Sequence, residues 1–195
     1  MQLFCEWLRD AGRDVLSCRD PGSTRLGEAI RGLLLDRGDA PMHRRSEMLL
    51  YMAARTQMVE EVIRPAISAG RTVVSDRFLL ANIVYQGYAG GLDLNTIRRV
   101  GEVATDGIRP DLTFLLDMPA HAAGKRIRRE LDRMESQGLD FLERVRQGFL
   151  AEAALHPDRI VVISAERDVD SVQQAIRDAA CRFSRRTSEE NRSMP

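Results

Sequence analysis

Lysine is almost missing from this 195-residue chain: of its 29 basic residues only Lys125 is a lysine, and the rest are arginines. Codon drift produces such a bias, and so does a need for planar guanidiniums, which grip phosphates bidentately; composition does not separate the two. Cysteine is scarce as well. Cys5, Cys18 and Cys181 stand far apart, odd in number and in no C-x-x-C spacing, so neither a disulfide framework nor a metal site follows, and reduced thiols fit best. The formal net charge of +0 removes any bulk electrostatic case for nucleic acid or an acidic membrane as partner. No apolar run reaches the roughly 20 residues of a membrane-spanning helix, and the start has no signal-peptide pattern. The expectation is a cytoplasmic protein with no membrane partner.

What is present is an ordinary globular composition, 44% hydrophobic and 30% charged, enough for one domain with a sizeable core. The domain is read as residues 1–186, and the polar tail 187–195 as disordered. Leu3, Phe4, Trp7 and Leu8 mark one face of an opening helix that stops near Gly12. Val15 to Cys18 is a strand, Pro21-Gly22-Ser23-Thr24 a turn, and Ser23 or Thr24 caps a helix carrying Leu26, Ile30, Leu33 and Leu34. Ser46 is expected to cap a long helix with Met48, Leu49, Met52, Val59 and Ile63, bent at Pro65 and ended by Gly70. Thr72 to Ser75, Leu112 to Leu116 and Ile160 to Ile163 are further strands. Helices fall near 79–86, 93–105, 119–133, 140–155 and 168–184, the second of them capped by Asp93. Short strands separated by helices imply an α/β fold, a parallel sheet with helices on both faces. Ligands in such folds sit at the carboxyl ends of strands, which directs attention to Arg19, Asp20, Asp76, Arg77 and Asp117.

Four stretches carry candidate chemistry, and each has a plainer reading. Arg19-Asp20-Pro21-Gly22-Ser23-Thr24 places an arginine and a helix N-terminus together as an anion cradle, or is a turn with an exposed arginine. Asp76-Arg77-Phe78 offers a carboxylate to orient a nucleophile and a cation for a transferring phosphoryl group, or is a surface ion pair. Asn82 with Tyr85-Gln86-Gly87, and Tyr51 with Arg55, each set an aromatic beside an amide or guanidinium on one helix face, suited to a base and sugar or simply to a core. Lys125-Arg126-Ile127-Arg128-Arg129-Glu130-Leu131-Asp132-Arg133 is a phosphate-closing lid, at about 124–139, or a solvated helix face.

In order along the chain these stretches resemble thymidylate kinases, whose pattern is R-E-P-G-G-T, A-A-R, D-R-[YFH], Y-Q-G, P-D-L-T-x-x-L-D and D-R-x-E. The counterparts here are Arg19 to Thr24, Ala53-Ala54-Arg55, Asp76-Arg77-Phe78, Tyr85-Gln86-Gly87, Pro110 to Asp117 and Asp132-Arg133-Met134-Glu135. The resemblance spans residue 2 to about 180. It implies the fold of P-loop nucleoside-monophosphate kinases, a homodimer, and transfer of a phosphoryl group from ATP to dTMP with Mg²⁺ bridging the ATP phosphates. Arg77 and Arg19 would hold the dTMP phosphate with Asp76 beside the transfer centre. Tyr51 would stack on thymine, Arg55 and Asn82 would read the base edge, Tyr85 would crowd the sugar 2′ position, and Gln86 would join the substrate side. Arg126, Arg129 and Arg133 would form the lid over ATP, with Arg133 foremost, as in the bacterial subgroup whose loop has no arginine of its own. Asp20, a glutamate in the family, would reach a metal through water; Ser23 stands for a glycine and Ala81 for a serine.

One family feature is absent from the 195 residues: no G-x-x-x-x-G-K-[ST] occurs. That loop and the strand before it, a central strand in this fold family, hold the ATP phosphates and Mg²⁺. The expectation is a record that starts at an internal methionine of a longer reading frame, with weak ATP binding by these residues alone. The alternatives are a non-catalytic remnant that binds dTMP or a partner, and a related deoxynucleoside kinase.

Overall fold

The computed structural model describes residues 1–36, 41–126 and 133–192. Its four strands are β1 (Val15–Arg19), β2 (Thr72–Asp76), β3 (Thr113–Asp117) and β4 (Ile160–Ser164). They form two parallel ladders. β1 pairs with β2 from Val15↔Thr72 to Arg19↔Asp76, and β3 with β4 from Thr113↔Ile160 to Asp117↔Ser164. Among the described residues no strand joins the two ladders. Parallel pairing requires long crossovers, and the helices supply them.

Helix α1 (Gln2–Asp10) touches both ladders: it packs on β1, and the Phe4 ring meets Phe114 of β3 edge-on with centroids 5.3 Å apart. It ends at Ala11, followed by Gly12 at φ 80. Helix α2 (Arg25–Leu35) is capped by Thr24, whose Oγ1 accepts from the Gly27 N–H at 2.9 Å. Ile30 and Leu34 are buried, but Leu26 and Leu33 are 49% and 61% exposed, because α2 lies mainly along one neighbour, α3, which covers only a narrow stripe of it.

Helix α3 (Arg44–Met58) starts earlier than expected. His43, not Ser46, is the cap, its Nδ1 accepting from the Arg45 N–H at 3.2 Å. The expected bend near Pro65 takes the form of a wide π turn, Val59–Ile63, leading into α4 (Arg64–Ser68), with Gly70 beyond at φ 73. Pro65 has no N–H for an α-helical bond, and the wide turn just before it absorbs the mismatch. A second wide turn, Ile83–Tyr88, follows the short α5 (Leu79–Asn82). Helix α6 (Leu94–Thr105) is capped by Asp93, whose carboxylate accepts from the Thr96 N–H at 2.7 Å. Then come α7 (Ala120–Arg126), α8 (Leu139–Leu155) and α9 (Val169–Arg192).

Helix α9 continues eight residues past its expected end, into the segment read as a disordered tail. Extending an existing helix costs far less than starting one, and its Glu and Arg residues favour propagation. Residues 193–195 lie outside the described residues.

Helices α1 and α4 contact the first ladder, and α8 and α9 the second. Met58, Val59, Ile63, Cys18 and Phe78 form the apolar cluster beneath the first ladder, so the π turn is part of the core that fixes α3 against the strand ends.

Candidate functional site

Arg19 and Asp76 are register partners at the carboxyl ends of β1 and β2, and the Asp20 N–H donates to the Asp76 carbonyl at 2.9 Å. Just beyond, Arg77 and Ser23 hold left-handed backbone, at φ 69 and 66, a region that costs a non-glycine residue about 1–2 kcal/mol. Strain of this kind collects where a site must be shaped. Helix α3 presents Glu47, Tyr51 and Arg55 four residues apart on one face, and α5 with its π turn presents Asn82, Tyr85 and Gln86 opposite.

Between them lies a narrow cleft. Tyr51, Arg55, Arg77, Asn82, Tyr85 and Gln86, all singled out from the sequence, line it, together with Asp20 and Ala81. Arg55 is 1% exposed and donates through Nε to Asp20 Oδ2 at 2.6 Å; its guanidinium also lies 5.5 Å from the Phe78 ring centroid. Burial pushes the Asp20 carboxyl above its ordinary pKa, against the pull of Arg55 and Arg77. Asp20 Oδ1 is buried without a hydrogen-bond partner. Arg77 sits 5.2 Å over the Tyr85 ring, a cation–π contact, and Tyr85 is braced edge-on by Phe149.

Arg19 and Asp76 do not line the cleft. Arg19 instead grips Glu28 with both carboxylate oxygens at 3.0 Å, and the Ser23 N–H donates to the same carboxylate at 2.9 Å. The stretch read as an anion cradle thus holds the chain's own carboxylate through Arg19 and the Ser23 N–H. Arg31, one turn further along α2, donates to the Pro21 carbonyl at 3.1 Å. Burial lowers its pKa, and the nearby positive charges of Arg19 and Arg77 lower it further. Arg31 thus stands where Arg19 and Arg77 add positive charge and the Glu28 carboxylate offsets part of it.

Two of the three arginines read as a lid, Arg126 and Arg133, bond to different parts of the molecule. Arg126 donates to the Ala165 carbonyl at 2.8 Å, just past β4. Arg133 turns to the other side, with Nε on the Leu34 carbonyl at 2.8 Å and Nη2 2.5 Å from Glu47 Oε2. Arg129 lies outside the described residues.

Sequence reasoning missed Glu28, Arg31 and Glu47. Glu47 is fully buried and accepts from Gln86 Nε2 at 2.7 Å. Its signal was available: it precedes Tyr51 and Arg55 by four and eight residues, on the face already under scrutiny.

A thymidylate kinase family model matches residues 1–176. The chain belongs to the thymidylate kinase family. Similar thymidylate kinases include that of Rhodopirellula baltica, 47% identical over 176 residues that cover 90% of this chain and 71% of the relative. That of Desulforudis audaxviator is 48% identical over 163 residues, covering 83% and 74%. Among solved structures, thymidylate kinase from Ehrlichia chaffeensis superposes with a TM-score of 0.76 at 27% identity, over 92% of this chain and 89% of that one. The two ladders and their flanking helices are thus a thymidylate kinase α/β fold. Among the described residues no helix is long and apolar enough to cross a membrane.

Proposed function

We propose that this chain is the dTMP-binding body of an ATP-dependent nucleoside-monophosphate kinase that converts dTMP to dTDP in the cytoplasm. The observation that carries the reading is the cleft itself: an aromatic ring, Tyr51, and buried amides share it with Arg77, just past the end of β2, which suits a base at one side and a phosphate at the other. Tyr51 stacks on the thymine, Arg55 and Asn82 meet its edge, Tyr85 closes on the sugar, and Gln86 backs them. Arg77 holds the phosphate, joined by Arg19 once it releases Glu28, and Asp76 stands beside the transfer centre. Ala81 leaves a methyl where the family has a serine, so the pocket makes one polar contact fewer.

On the ATP side Arg126, Arg129 and Arg133 supply the lid. Mg²⁺ would arrive with ATP, as the family resemblance implies. Asp20 Oδ1, buried and unpartnered, fits one contact to such an ion's hydration shell. When bound, the ion neutralises charge on the ATP phosphates. Leu49 on α3 and Val103 on α6, 53% and 82% exposed, supply apolar surface for a homodimer.

These 195 residues contain no G-x-x-x-x-G-K-[ST], which favours a second reading alongside the first: dTMP binding with transfer too slow to matter. Calorimetry with dTMP and ATP separately, followed by a dTDP assay, tests both. The expected result is dTMP binding with weak ATP binding and dTDP formation near background. Failure to bind dTMP would overturn both readings, and rapid turnover would overturn the second.

A further inference from the structure

Glu47 has no part in the roles above, yet it is 0% exposed and placed where a buried charge must have a reason. Its Oε2 pairs with Arg133, and Arg44 Nη1 stands 3.9 Å from its Oε1. A carboxylate held by arginines only accepts hydrogen bonds. Gln86 must therefore turn its Nε2 toward Glu47, where it donates at 2.7 Å. That rotation leaves Gln86 Oε1 facing the other way, where it accepts from Asn82 Nδ2 at 2.8 Å. Asn82 is thus forced to turn its Oδ1 outward. That oxygen is buried without a hydrogen-bond partner, on a residue that lines the cleft. Two amides alone could run in either direction; a fixed anion at one end removes the choice.

We infer that Glu47 is a positioning residue which, through Gln86, presents the Asn82 carbonyl to the ligand and so selects pyrimidines that carry a proton on N3. Thymine and uracil bring an N–H to that oxygen. Cytosine brings a bare N3, and two acceptors then face each other in a buried site. The inference rests on the proposal that the cleft takes a pyrimidine monophosphate, and it names the group that sets the preference.

The test is competition calorimetry of dTMP against dCMP on the 195-residue chain, its Glu47→Gln variant and its Gln86→Met variant. Glu47→Gln lets the relay run backwards, so that Asn82 Nδ2 faces the ligand. Gln86→Met frees Asn82 while leaving the Glu47–Arg133 pair in place, which keeps the test open if the first variant folds poorly. In either variant the dTMP preference is expected to fall about tenfold, the scale of one mismatched buried hydrogen bond, with dCMP binding tighter than to wild type. A purely structural role would weaken both nucleotides alike. An unchanged ratio in a folded variant overturns the relay alone, and no dTMP binding by wild type overturns the cleft reading and the relay together.

Discussion

Arg55 Nε lies 2.6 Å from Asp20 Oδ2, with both side chains 1% exposed, so the last turn of α3 is tied to the end of β1 across 35 residues of chain. A buried ion pair gains little when whole, because desolvating two charges offsets their attraction, but it is costly to break. This pair is also the floor of the cleft, and it couples stability to the site.

Asp20→Ala should therefore destabilise the fold by about 3–5 kcal/mol, leaving a buried guanidinium without its anion. Asp20→Asn keeps an oxygen for the Nε–H and should cost less. Urea unfolding checks both, and a loss below about 1 kcal/mol for the alanine variant would mean the pair is solvated after all.

Two glycines of α2 make a matched pair. A Cβ on Gly27 would stand 2.7 Å from the Gly22 carbonyl and 2.8 Å from Thr24 Oγ1, and the carbonyl belongs to the turn that carries the cradle. Gly27→Ala should cost about 1–3 kcal/mol by overpacking and weaken dTMP binding. At Gly32 a Cβ would meet nothing within 4 Å, so Gly32→Ala should stabilise by about 0.5–1 kcal/mol. Thermal melts of the two variants should move in opposite directions.

Most of the backbone was legible in advance because its signals are local. Thr24 and Asp93 announce helix starts by capping chemistry, and β-rich runs bounded by turns place the four strands to within a residue or so. The cleft was legible for a topological reason: polar residues at strand ends converge whatever the packing. Glu28, Arg31 and Glu47 were not, since a charge that is buried and paired looks in sequence like any other charge on a helix. The π turns were equally hidden, because hydrophobic periodicity does not distinguish one wide turn from an α-helical one. Leu26 and Leu33 failed for the converse reason, being apolar residues with no neighbour to cover them.

The Glu28 carboxyl sits below its ordinary pKa of 4.5, chiefly through the Ser23 N–H and then through Arg19. A depressed carboxylate contributes stability that is present above the unfolded-state value and is lost as pH falls through the folded-state one. The gap in melting temperature between wild type and Glu28→Ala should thus be open at pH 7 and close on acidification below the ordinary value. A gap that is the same at pH 7 and pH 3 would contradict the assignment.

Tyr51→Leu retains apolar contact with α2 but removes the ring. Stacking on a base is worth about 1–3 kcal/mol, so dTMP affinity should drop about fivefold or more, while the melting temperature moves little. Calorimetry at fixed salt reads the first and a thermal scan the second.

The division of the strands into two ladders has a colloidal consequence. Four parallel strands in one sheet leave two strand edges unpaired, whereas the two separate pairs formed by the described residues leave four. Unpaired edges template the strands of other molecules, and here they sit beside apolar residues such as Leu116 and Val162, 51% and 46% exposed. With a formal net charge of +0, the molecule has no long-range repulsion to hold copies apart. Strand edges, rather than charge, are thus expected to set how readily copies associate as concentration rises.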